Sequence, residues 1–545
     1  MRQFLLPAAI VLMALINVTP AAACTNFIAT KGATADGSVM VTYTCDGEFH
    51  PRLRLLPAAD HEPGAMEKLT HWSGEYLGEV ALPAHTYQVV NLMNEHQVTI
   101  AETTTGGREE LVNPEGMLPY WTLMRLVLQR AATAREAVEV MGALVAEYGY
   151  RSSGESFYIG DPREAWVVEM VGPGPGGDGA HWVALRVPEG YVVAHANLGR
   201  INTFDRNDEK NCLASKGMEE FAAANGWYDP DGGEPFSWRK AFHPTTPQKL
   251  RYTETRVWSL YRRCAPSRDW PSDYHRGVEG AEPLPLWIKP EQKLAVADVF
   301  ELMRDHYEGT EYDMTKGVDA GPYGTPNRWR PMAWEVDGQN YTWERPISTQ
   351  QTGFSMVTQS RDWLPDAVGG LTWYGVDDTY FTCYVPLYCG IESVPESFAT
   401  GSLGQFGWDS AWWVFNFVSN YANLKYSYMI QDIQIVQAEL EGDFLDLQPA
   451  IEKTAAELAE SDPDLMSRYL TDYSVTHAEA VVDKWRDLGE YLLTKYNDGY
   501  VKDENRQPRE KGYPEAWLRA VLEQHPDKYL LPDQDAQKIR EPEDY

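Results

Sequence analysis

The sequence predicts an α+β fold in which two sheets pack face to face with helices outside them, and three observations carry that reading. Runs that favour strands fall into two groups, one between residues 24 and 199 and the other between residues 353 and 388. A helical hairpin interrupts the first group, and beyond Asp409 the pattern turns helical. No internal repeat and no charge-run linker divides the 545 residues, which favours one elaborated domain over several.

The chain starts with Met1-Arg2-Gln3, a short basic segment, followed by the apolar run Phe4 to Ile16. That run is shorter than the roughly 20 residues that span a bilayer, and Ala21-Ala22-Ala23 supplies the small-x-small pattern of a signal-peptidase site. Residues 1–23 therefore read as a signal peptide, with export to the periplasm or the exterior and Cys24 as the new first residue. The strands expected next are Asn26 to Thr30, Ser38 to Thr44, Thr86 to Met93, Gln97 to Thr103, Phe157 to Gly160, Ala165 to Val171, Trp182 to Val187 and Tyr191 to His195. Ala35-Asp36-Gly37-Ser38 and Asn94-Glu95-His96 occupy hairpin-turn positions. Between the strands, Pro119 to Arg130 leads into Thr133-Ala134-Arg135-Glu136, a capping box. Apolar residues at helical spacing follow from Ala137 to Tyr148, with Gly149 as the stop. Gly172 to Gly179 (GPGPGGDG) lacks the Gly-Lys-Ser/Thr ending of a phosphate loop and lies between two strands, so it reads as a hairpin insertion. Residues 200–290 are polar, rich in Trp and Pro, and read as irregular. A helix at Val296 to His306 follows, then strands at Gly353 to Gln359, Leu371 to Val376 and Tyr380 to Tyr388. Helices at Ala411 to Tyr428, Gln434 to Ala459 and Val475 to Tyr496 complete the order.

Charge narrows the function. With 47 basic against 80 acidic residues the formal charge is −33 at pH 7, a surface that repels phosphate backbones, so nucleic acid is not an expected partner. The same acidity can draw in substrates that carry a free amine, or can serve solubility alone. No second stretch is long and charge-free enough to span a membrane, so stable insertion of the mature chain is not expected; a homo-oligomer stays open. Of the six cysteines, Cys383 and Cys389 flank an extended YVPLY and stand too far apart to bridge, which leaves Cys212 with Cys264 as the favoured pair. No CxxC, HExxH or paired Cys/His spacing occurs, so no metal or other cofactor is expected. Asp229, Asp231 and Glu234 read as a solvated turn in preference to a calcium loop.

Ala21 to Cys24, AAAC, allows two incompatible fates. In a lipoprotein, acyl groups would take both the thiol and the amine of Cys24; in an enzyme both would stay free. Lipidation favours Leu three residues before the cysteine, where this chain has Ala21, and the enzyme reading is preferred. An N-terminal cysteine is a self-contained catalytic unit, because its α-amine, with an ordinary pKa of roughly 8, can take the thiol proton directly or through a water. It still needs a scaffold that holds residue one on a buried strand, a carboxylate to orient the amine, and N–H donors for the tetrahedral oxyanion. Cys24-Thr25-Asn26-Phe27-Ile28 is strand-like from its first residue.

The chain also resembles peptidase family C69, cysteine dipeptidases of the N-terminal-nucleophile (Ntn) hydrolase class. The resemblance runs through CTNFIATKGATADGSVM (Cys24 to Met40), NEHQVTIAETT (Asn94 to Thr104), EAWVVEM (Glu164 to Met170) and HWVALRVPEGYVVAHANLGRI (His181 to Ile201). It continues in RDHYEGTEYDMTKG (Arg304 to Gly317), GPYGTPNRW (Gly321 to Trp329) and CYVPLYCG (Cys383 to Gly390). It implies a four-layer αββα sandwich of Ntn type, with residues 24–405 as the catalytic domain and 406–545 as a helical extension packed on it. It implies Cys24 as nucleophile, its amine as base, Asp46 to orient that amine, Asn94 as the oxyanion residue and Asn197 as a second donor; each asparagine has an alternative as a turn former. Many family members carry Arg-Asn-x-Asp where this chain has Tyr43-Thr44-Cys45-Asp46. Arg256 could replace that arginine, match a further active-site arginine of related amidases, or be an ordinary surface residue, and Cys45 reads as structural. The function implied is a secreted dipeptidase acting on small peptides through an acyl-enzyme. The alternatives are a non-peptide amidase of the penicillin V acylase and bile salt hydrolase type, and a Cys24-acylated surface lipoprotein.

Overall fold

The computed structural model describes residues 23–530, so the signal peptide expected at residues 1–23 lies outside the described residues except for Ala23, whose backbone opens the first strand. The principal strands are β1 (Ala23–Ala29), β2 (Val39–Asp46), β3 (Thr99–Thr104), β4 (Gly154–Gly160), β5 (Ala165–Val171), β6 (His181–Arg186), β7 (Val192–His195), β8 (Thr352–Ser360), β9 (Leu371–Val376) and β10 (Val385–Tyr388). The principal helices are α1 (Tyr120–Leu128), α2 (Ala134–Tyr148), α3 (Pro247–Cys264), α4 (Val296–Met303), α5 (Ala411–Ala422), α6 (Tyr426–Ser461) and α7 (Pro463–Tyr496).

Two antiparallel sheets carry the fold. The first runs in the order Trp287–Ile288, β7, β1, β2, β8, β9, β10; the second runs Cys212–Ala214, β6, β5, β4, β3, Met93–Asn94, Val89–Val90, Leu55–Leu56. The sheets meet where β1 and β2 pack on β3 and β2 packs on β4. Val41 of β2 closes on Gly160 there, so closely that a Cβ at residue 160 would come within 2.7 Å of Val41 Cγ2. β2 is buried at every position. Strands of this kind lack the alternation of a half-exposed sheet and read as continuous β-favouring runs.

On its other face the second sheet packs Phe157, Ile159, Trp166 and Val168 against α1 and α2. The expected cap of α2 is present: Thr133 Oγ1 accepts from Glu136 N at 3.1 Å, while Glu136 Oε2 reaches back to Ala132 N at 2.8 Å. Helices α5, α6 and α7 lie against β9 and β10 of the first sheet. Buried polar contacts fix α6 there, as Arg304 Nη2 donates to Glu441 Oε1 at 2.6 Å and Tyr384 N donates to the same oxygen at 2.8 Å. Among the described residues no helix is long and apolar enough to cross a membrane.

Three expectations are corrected. Residues 200–290 are not irregular: they contain α3, capped by Thr246 Oγ1 on Lys249 N, with Pro247 in its first turn. The helix escaped notice because its overall composition is polar, although Leu250, Val257, Leu260, Tyr261 and Cys264 recur at helical spacing on the buried side, where Thr253, Glu254 and Arg256 accompany them. Cys212 and Cys264 are not bridged, and all six cysteines are free thiols; one lies in the edge strand Cys212–Ala214 and the other ends α3. The strand expected at Thr86 to Met93 is broken into the pieces His85–Thr86, Val89–Val90 and Met93–Asn94.

Candidate active site

Cys24 lies one residue inside β1, so a strand sets its position. Across the hairpin it stands opposite Cys45, and Ala23 stands opposite Asp46. The Cys24 α-nitrogen donates to Asn197 Oδ1 at 3.2 Å, and its carbonyl accepts from Arg256 Nη1 at 2.8 Å and from Thr103 Oγ1 at 3.2 Å. These groups point away from β2, which makes Cys24 and Cys45 a non-hydrogen-bonded pair, the type whose side chains approach most closely. The Cys24 thiol is fully buried and lies 3.7 Å from Glu102 Oε1. Burial above all, then contact with Cys45 and the charge of Glu102, pushes it well above its ordinary value. While the bond to Ala23 is intact, the α-nitrogen is an amide and cannot act as a base.

Asn197 reaches Cys24 because β7 pairs with β1, His195 opposite Asn26, and the chain continues past the strand end. Its backbone is left-handed (φ 61°), a conformation that asparagine tolerates better than most residues. Its Oδ1 also accepts from Arg256 Nη2 at 2.9 Å, and its Nδ2 donates to the Thr104 carbonyl at 2.8 Å. The loop is anchored by buried Glu169, whose Oε1 accepts from Arg200 N and Ile201 N and pairs with His195 Nε2 at 3.0 Å. Gly199 is required by contact, since a Cβ there would come within 2.4 Å of His243.

Arg256 comes from α3 and is fully buried, which excludes the surface reading. Besides Cys24 and Asn197 it donates to Thr25 Oγ1 at 2.9 Å. Burial, and next the neighbouring Arg345, lowers it to about 10. Asp46 is also buried; it pairs with Arg345 and accepts from Thr352 Oγ1 at 2.6 Å. Burial raises it to about 6 despite those partners.

Asn94 is not available as an oxyanion donor. Its Nδ2 gives both hydrogens to the carbonyls of Leu128 and Ala131, and its Oδ1 accepts from His96 N and Val98 N. It holds its own turn against the end of α1, which is the alternative the turn position allowed. Asn197, for its part, meets the Cys24 nitrogen as an acceptor.

The sequence reading missed Arg345, Glu102 and Glu155. Tyr43, at the place of the arginine found in many family members, donates its hydroxyl to Glu102 Oε1. One group among the described residues could hold a metal ion: the sulfurs of Cys24 and Cys45 and an oxygen of Glu102 lie within 4.8 Å of one another. The only signal for this group in the sequence is an acidic residue inside the otherwise uncharged strand Thr99–Thr104. Beside Asp46, a small recess is lined by Arg330, Arg345 and Thr349.

Comparison with known proteins finds dipeptidases among the relatives of the chain. A protein from Salmonella dublin named "Probable dipeptidase" is 27% identical over 410 residues, covering 72% of this chain and 86% of that protein. A Latilactobacillus sakei protein of the same name is 28% identical, covering 69% and 76%. The "Dipeptidase" of Bifidobacterium longum is 26% identical, covering 68% and 72%. The family model described as peptidase family C69 matches residues 54–439, from just beyond the strand that carries Asp46 to the first third of α6. The chain belongs to peptidase family C69 and is, accordingly, a peptidase.

Proposed function

We propose that the chain is an exported dipeptidase of the Ntn class, with the αββα sandwich expected of that class, and that Cys24 becomes its N-terminal nucleophile once residues 1–23 are removed. The observation that carries this is the convergence on Cys24: Asn197 on its nitrogen, Arg256 and Thr103 on its carbonyl, and Asp46 opposite the residue that cleavage would remove. The dipeptidase names of the relatives support the substrate class.

Cleavage turns the Cys24 amide into a primary amine. The amine takes the thiol proton, and the thiolate attacks the scissile carbonyl carbon to give a tetrahedral oxyanion. The ammonium then returns the proton to the leaving amine as the C–N bond breaks, which leaves an acyl thioester on Cys24. Water, deprotonated by the same amine, releases the first residue and restores the thiol. Asn197 Oδ1 accepts one amine hydrogen and fixes the lone pair; Asp46 supplies negative charge at the vacated position; Arg256 holds the Cys24 carbonyl. The catalytic domain is proposed as residues 24–405, with 406–545 as an extension on it.

The test compares protein that begins at Cys24 with full-length protein on a panel of dipeptides. The shorter protein should hydrolyse them and the full-length protein should be nearly inert. Equal rates would refute the amine as base. Cys24→Ser should be far slower and Cys24→Ala should sit at background.

A further inference from the structure

Two buried carboxyls beside the thiol have no task in this scheme. Glu102 and Glu155 are 0% and 1% exposed and lie within hydrogen-bonding reach of each other. Glu102 Oε1 takes the Tyr43 hydroxyl and lies 3.7 Å from Cys24 Sγ; Glu155 Oε1 accepts from Thr104 Oγ1 at 3.2 Å. Outside the pair itself the other oxygen of each carboxyl meets no donor, and no ion pair among the described residues reaches either one. Two touching carboxyls can share one proton, yet the pair then still carries a negative charge. Burial raises both carboxyls, Glu155 well above its ordinary value, so without a cation the pair is pushed towards its neutral form, and an arriving cation would favour the charged one.

We infer that Glu102, backed by Glu155, binds the α-ammonium of the substrate residue whose carbonyl Cys24 attacks, so that the enzyme takes peptides with a free N-terminus. The inference rests on Cys24 being the nucleophile of a dipeptidase. Sulfur attacks from about 3–3.5 Å, and the α-nitrogen lies about 2.5 Å from the carbonyl carbon through two bonds, so a bound ammonium sits roughly 4 Å from Sγ. A carboxylate oxygen 3.7 Å from the same sulfur can come within hydrogen-bond range of that place when the ammonium lies on the Glu102 side of the sulfur. The ammonium also cancels the charge of Glu102, which otherwise opposes formation of the thiolate. A substrate without an amine would leave that charge unpaired. The subsite therefore separates dipeptides from acyl amides that present no amine next to the scissile carbonyl.

The experiment uses protein that begins at Cys24 and measures kcat/KM for Ala-Ala, for N-acetyl-Ala-Ala and for propionyl-Ala, which differs from Ala-Ala only in lacking the amine. Wild type should prefer Ala-Ala over both by at least about a hundredfold. Glu102→Gln and Glu155→Gln should narrow that preference by at least about tenfold, the loss falling mainly on KM for Ala-Ala. Hydrolysis of propionyl-Ala at the rate of Ala-Ala by wild type overturns the subsite whatever the variants do. So do folded variants that lose all three substrates in proportion, as a purely structural role would require. If no dipeptide is cleaved by wild type, the proposed function falls and the subsite falls with it; if dipeptides are cleaved but the amine is dispensable, the subsite alone falls.

Discussion

At Asp46, Arg345 and Thr352 favour the carboxylate while burial disfavours it, and burial prevails, lifting the group to about 6. A carboxyl raised in the folded state contributes stability that is present in full below its ordinary value of 3.8 and is lost as pH rises through about 6. The same rise creates the charge proposed to act on the Cys24 amine, so activity should increase over the window in which this share of stability disappears. Asp46→Asn should flatten the stability profile there and lower kcat by about ten- to a hundredfold with the fold intact, which thermal melts and rate-pH profiles can follow together. Unchanged kcat would remove Asp46 from the mechanism. Soft cations offer a second residue-level test, because Cys24, Cys45 and Glu102 present two sulfurs and an oxygen within 4.8 Å of one another. Zinc should inhibit the mature enzyme, Cys45→Ser should weaken that inhibition, and a chelator should leave untreated enzyme active; activity lost on chelation and regained with zinc would contradict the mechanism. Cys24, Asp46, Asn197 and Arg256 were singled out from sequence, and the fold places all four around the start of β1. Arg345, Glu102 and Glu155 were not, because a buried charge is defined by partners far along the chain: Arg345 meets Asp46 across 299 residues.

Elements were legible where one face or a run of β-branched residues sets the pattern. β5 and β9 fall at the residues expected, and α2 starts and stops at its capping box and at Gly149. α3 was hidden by its polar composition, although its apolar residues recur at helical spacing and Thr246 followed by Pro247 is a start signal. Since α3 carries Arg256, its registration bears on the site as well as on stability. Thr246→Ala should cost about 1 kcal/mol of stability through the lost cap, read as a lower denaturation midpoint, with a smaller effect on KM. The buried pair of Arg304 and Glu441 holds α6 more firmly. Glu441→Gln leaves that arginine only the exposed Glu301 as counter-charge and should cost about 3 kcal/mol. A loss below about 1 kcal/mol would mean that α6 is held by its apolar contacts alone.

The whole molecule sets two long helices, α6 and α7, and the shorter α5 against one edge of the first sheet, while the hairpin of β1 and β2 sits near the middle of it. Sequence periodicity found those helices but not their attachment, which runs through single buried groups such as Glu441 and Gln437 reaching the backbone before β10. Full-length protein and protein that begins at Cys24 should melt within a few degrees of each other, because Asn197, Thr103 and Arg256, which hold the Cys24 backbone, all lie downstream of it. A drop of tens of degrees on removing residues 1–23 would show that the segment is needed to hold the fold. The grip of Arg256, Thr103 and Asn197 on the Cys24 backbone has a consequence for timing. The chain can finish folding while it is still harmless, since under the proposed chemistry a single peptide bond is its safety catch. Releasing the catch changes the basicity of one nitrogen, so cleavage after Ala23, whether by a signal peptidase or by the chain itself, and not the folding reaction, starts the clock on hydrolysis.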